Sequence, residues 1–106
     1  VQSQVVSLLE PIYVRMGDHR GRIRALHVRR RLAEERGDMD EATGILLEIA
    51  KTEEHEFKDG ATAFDVVRDA YLLDPRRADS LRELSRLGRA YGRFQDLIDA
   101  YSKVLD

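Results

Sequence analysis

Apolar residues return at intervals of three and four along almost the whole chain, the spacing of one helical face. Val5, Leu8, Leu9, Ile12 and Met16 form a first stripe, which Gly17-Asp18 interrupts. Ile23, Leu26 and Ala33 form a second, with Ala25 and Leu32 beside them, and Gly37-Asp38 closes it. Ala42, Ile45, Leu46, Ile49 and Ala50 form a third, running toward Phe57. Lys58-Asp59-Gly60 reads as a turn, and Ala63, Phe64, Val67, Ala70 and Tyr71 follow as a fourth stripe. Leu81, Leu84, Leu87 and Tyr91 make a fifth. After Gly92-Arg93, a sixth holds Phe94, Leu97, Ile98, Tyr101, Val104 and Leu105. No segment sustains the alternation of a strand. The pattern predicts an all-α chain of six helices, and the short turns make successive helices antiparallel. Asp38 and Glu41 have capping-box spacing, and Asp59 is placed to cap the fourth helix. Asp74-Pro75 predicts a stop and a fresh start, with Asp as N-cap and Pro in the first helical position.

An internal repeat selects among all-helical architectures. Met16-Gly17-Asp18-His19 matches Tyr91-Gly92-Arg93-Phe94, and Ile23-Arg24-Ala25-Leu26 matches Ile98-Asp99-Ala100-Tyr101, each 75 residues on (92 − 17, 98 − 23). Leu9 and Ile12 match Leu84 and Leu87 at the same offset. That period spans two helical hairpins, the self-similarity of an α-solenoid. One hairpin cannot bury both faces of its helices, whereas stacking the next upon it makes the core continuous.

The middle hairpin resembles the tetratricopeptide repeat. Leu46, Ile49 and Ala50 in its first helix, and Ala63, Val67, Ala70 and Pro75 after them, fall where that family places its packing residues and closing proline. Leu81, Leu84, Ser85, Tyr101 and Val104 match in the third hairpin. Departures are Glu53 where a Tyr is common, Leu97 and Val104 in place of small residues, and hairpins longer than the family's standard. The resemblance implies a superhelix of three hairpins, approximately 1–36, 38–74 and 75–106, forming one repeat domain within a longer array. A chain that starts at Val1 fits such a fragment or a processed form.

Composition narrows the function. The 106 residues are 42% hydrophobic, enough for a core, and 36% charged. Cysteine is absent, which excludes disulfides and thiolate metal sites and leaves the compartment open. No apolar run approaches the roughly 18 residues of a membrane span. Net charge is +4 over residues 1–36, −8 over 37–75 and +2 over 76–106, blocks able to draw neighbouring hairpins together. His55 lies among Glu53, Glu54 and Glu56, yet the second His of a zincin helix is replaced by Asp59, so no metal is expected. Gly residues fall singly, without a phosphate loop, and no hydroxyl pairs with a His and a carboxylate in a known motif. Neither enzyme activity nor a cofactor is expected. Arg22, Arg29 and Arg36 share one helical stripe, but Glu34 and Glu35 interrupt the basic run and the acidic middle would repel a duplex. A solvated or acid-paired face fits better than a nucleic-acid surface.

The resemblance further implies that the first helix of each hairpin lines a concave groove for a partner protein or peptide. Carried over position by position, that groove holds Leu47, Lys51, Glu54 and His55 in the middle hairpin and Asp79, Arg82, Arg86, Arg89 and Ala90 in the third. Lys51, His55, Arg82, Arg86 and Arg89 are the candidate binding residues, and three arginines in one ridge suit an acidic segment. The family's clamp of Lys and Asn for a terminal carboxylate is not reproduced. Two further readings stand beside this one, a spacer that binds nothing and self-association through end helices bearing Val5, Leu8 and Leu9 and Tyr101, Val104 and Leu105.

Overall fold

The computed structural model describes residues 2–105. All six helices are present, as α1 (Gln2–Met16), α2 (His19–Glu35), α3 (Met39–Glu56), α4 (Gly60–Leu73), α5 (Ala78–Ala90) and α6 (Phe94–Leu105), and the described residues contain no strand. Three of the five turns share one device. Gly17, Gly37 and Gly92 adopt φ of 67°, 78° and 69°, the left-handed region that glycine enters without a side-chain clash. The residue after each glycine then donates its N–H five residues back, Asp18 to Tyr13, Asp38 to Ala33 and Arg93 to Gly88, closing the helix end. Asp18, Asp38 and Asp59 cap the next helices by accepting from the N–H of Gly21, Glu41 and Thr62.

The fourth turn departs from expectation. Asp74 terminates α4 instead of starting α5, which begins at Ala78 after Arg77. Pro75 has no N–H and lies in the connecting turn, where the Arg77 N–H reaches the Asp74 carbonyl at 3.3 Å. Asp79 takes over the acidic role at the α5 start, accepting from the Ser80 N–H at 2.9 Å. In the Lys58-Asp59-Gly60 turn the positive φ belongs to Lys58. Gly60 is needed for space, because a Cβ there would fall 2.2 Å from the Tyr91 ring.

The helices form a plate with Cα extents of 39 × 31 × 16 Å. Two helix layers about 8–10 Å apart, each with a Cα radius of about 2.3 Å, account for the short dimension. One buried cluster joins α2 and α3 through Ile23, Leu26, Ile45 and Ile49. A second joins α3, α4, α5 and α6 through Ala50, Phe64, Val67, Tyr71, Leu84, Leu87 and Leu97. Val66 packs against both, so apolar contact is continuous from the first hairpin to the third. Leu47 packs against this shared cluster and α4 meets both α5 and α6, so hairpins 38–74 and 75–106 lie side by side.

Candidate functional site

Helix α3 is an acidic rail held between arginines from both neighbours. On the α2 side, Arg22 donates to Glu48 at 2.8 Å and to the Thr52 hydroxyl at 3.3 Å. Arg20 donates to both oxygens of buried Glu53 at 3.0 and 3.3 Å, and its guanidinium lies 3.8 Å from the centre of the Phe57 ring. Glu53 is thus buried as one half of an ion pair with Arg20. The His19 ring stands edge-on to Phe57, with Nε2 3.3 Å from Glu56. Arg29 donates to both oxygens of Glu10 in α1 at 2.8 and 2.9 Å and lies 3.7 Å from Glu41, which Arg36 also holds, so the basic stripe 22/29/36 is paired with acids on both sides of α2.

The α5 side mirrors this arrangement. Arg86 grips Glu54 through two bonds of 2.7 and 3.1 Å and holds Glu83 through two more, while the Tyr91 hydroxyl donates to Glu54 at 3.0 Å. Arg77 donates to the Asp40 carbonyl at 2.8 Å and lies 3.3 Å from its carboxylate. The alternating charge blocks therefore appear as interhelical pairs. The paired Arg86 guanidinium holds the Glu54 carboxyl below its ordinary range, with the Tyr91 hydroxyl adding to the effect. Glu83 and Glu54 together push the Arg86 pKa up.

A depressed carboxylate stabilises the fold fully above its unfolded pKa, and the contribution fades as pH falls through the lower folded value. Melting temperature is therefore expected to drop between pH about 5 and about 3 in the wild type. Glu54→Gln should flatten that acid limb; an unchanged limb would show that the pair contributes nothing.

The five expected binding residues divide into two groups. Lys51 and His55 are exposed on α3 and, with Val14, His19, Arg22 and Glu48, border a depression of about 400 Å³. Arg82 and Arg89 lie on the open side of α5 around Leu81, Ser85 and Ala90, along a shallow concavity of about 710 Å³. Neither has an acidic partner among the described residues. Arg86 borders the same concavity but is tied to Glu54 and Glu83, so the three arginines are not equivalent. Leu81, expected to be buried, is exposed, because no element of the described residues covers that side of α5.

Glu53 and Glu54, expected as a departure from the repeat pattern and as a groove residue, are the hubs of interhelical ion pairs; the acidic block facing two basic blocks was their signal.

Among the described residues no cluster of three or more His, Asp or Glu side chains is arranged to hold a metal ion, and no helix is long and apolar enough to cross a membrane. No protein-family model matches the chain, and no curated protein matches it either.

Proposed function

We propose that this chain is a protein-interaction scaffold, a divergent tetratricopeptide-like stack of hairpins that takes an acidic segment of a partner protein along α5. The observation that carries the reading is the pair Arg82 and Arg89. Arg20, Arg22, Arg29, Arg36, Arg77 and Arg86 all hold acids of a neighbouring helix or turn, whereas Arg82 and Arg89, like Arg15, Arg24, Arg31 and Arg76, have none among the described residues, and these two border the α5 concavity. They flank an apolar floor of Leu81 and Ala90, a combination that suits an amphipathic segment carrying carboxylates. Lys51 and His55 lie apart from it, on the depression that α3 shares with α1 and α2.

A fluorescent amphipathic peptide with Leu and Glu at helical spacing is expected to bind, and its Lys-for-Glu counterpart is not. Arg82→Glu with Arg89→Glu should weaken binding at least about tenfold, about 1.4 kcal/mol. Arg86 stays intact in that variant because its loss would disturb the Glu54 pair. Equal affinity for wild type and variant, measured by anisotropy with helicity checked by circular dichroism, would refute the assignment.

A further inference from the structure

Between Arg82 and Arg89, on the same side of α5, lies a hydroxyl with a proton to spare. Arg82, Ser85 and Arg89 follow i, i+3, i+7, so they share one helix face, with the two arginines about 10 Å apart along the axis. All three border the α5 concavity. Arg82 and Arg89 are exposed and Ser85 is half-buried between them.

A serine inside a helix commonly returns its proton to the carbonyl four residues back, as Thr52 does when its hydroxyl donates to the Glu48 carbonyl at 3.1 Å. Ser85 instead meets the Tyr101 hydroxyl at 2.6 Å, and the Tyr101 ring is held edge-on to Tyr71 of α4. A single hydrogen bond between two hydroxyls uses only one of their two protons. The phenol is the more acidic, so Tyr101 donates, Ser85 accepts, and the Ser85 proton remains for an acceptor in the concavity.

Any occupant of this surface covers two guanidiniums, and covering a charge without a counter-charge is costly, so the occupant brings anionic oxygens. A carboxylate offers two oxygens and one charge. A phosphate monoester offers three oxygens and a charge of about −1.5 to −2 at pH 7, one oxygen for each arginine and one for Ser85. Two long side chains rooted one turn to either side of Ser85 can converge on such a group above it. Arg86 borders the same concavity but is committed to Glu54 and Glu83.

We infer that the segment taken along α5 is phosphorylated, its phosphate bound by Arg82 and Arg89 and by the Ser85 hydroxyl that Tyr101 orients. Leu81 and Ala90 flank this anchor and meet apolar residues beside the phosphorylated position. The inference rests on the reading of α5 as the binding face and adds the chemistry of its anchor.

Three fluorescent peptides of one amphipathic Leu/Glu sequence test it by anisotropy against the full chain, with Glu, Ser or phosphoserine at the central acidic position. The phosphoserine peptide is expected to bind at least about tenfold more tightly than the Glu peptide, and the Ser peptide more weakly than either. Ser85→Ala should remove most of the phosphoserine gain and leave affinity for the Glu peptide unchanged, with helicity preserved by circular dichroism. Failure of all three peptides to bind would refute the α5 binding face itself. Binding of the Glu peptide with no gain from phosphoserine, or a gain that survives Ser85→Ala, would leave that face standing and overturn the phosphate inference.

Discussion

Phe64→Ala is expected to lower unfolding stability by about 3–5 kcal/mol, a large share of the roughly 5–15 kcal/mol that holds a domain of this size. Phe64 is fully buried at the centre of the cluster that joins α3, α4, α5 and α6. Its ring also underlies the Arg93 guanidinium, 4.7 Å from the ring centre, while that arginine bonds Asp65 at 3.0 Å. Truncation removes the apolar contact of four helices and leaves a cavity that rigid helical neighbours collapse into only partly. Urea titration reads the loss as a lower midpoint with an unchanged slope. A loss below about 1 kcal/mol would mean that the second and third hairpins are not held by this core.

Leu26→Ala is the second large effect, expected at about 2–5 kcal/mol. Leu26 is fully buried between α2 and α3 and belongs to the smaller cluster with Ile23, Ile45 and Ile49. Arg22 and Arg29 pair with α3 acids around it, but those pairs are partly exposed, and exposed pairs contribute about 0–1 kcal/mol each; only the Arg20 pair engages a buried acid, Glu53, and its own guanidinium is exposed. The apolar cluster, not the ion pairs, is therefore what holds the first hairpin to the second. The discriminating comparison sets Leu26→Ala beside Arg22→Ala in the same titration. If the arginine variant proves the more damaging, the ranking of forces is wrong.

The six helices were legible in sequence because a 3.6-residue apolar period is a local property. Gly17, Gly37 and Gly92 were legible for the same reason, since a left-handed turn favours glycine, whereas Lys58 takes that conformation without it and was not legible. Rotation of one helix against its neighbour was not legible. Arg82, Arg86 and Arg89 share one spacing pattern, yet only Arg86 meets α3, because the packing of Leu84 and Leu87 turns that residue toward Glu54. Likewise Leu8 and Ile98 belong to apolar stripes as regular as those of buried Ile49 and Leu26, but burial requires a further hairpin against them. Gly60 resembled a turn residue and proved to be a contact residue, since its reason lies in Tyr91, 31 positions away (91 − 60).

Apolar contact through Val66 is expected to join the hairpins into one cooperative body, with the α3 acid pairs as its polar seal. Residue-resolved amide hydrogen exchange in low concentrations of urea tests it most directly. The amides of Leu26, Phe64 and Leu87, one from each hairpin, should converge on a single opening free energy and a single urea dependence. Exchange at Leu26 through a separate opening, with lower free energy and weaker urea dependence than at Leu87, would show that the first hairpin unfolds alone and would contradict the account.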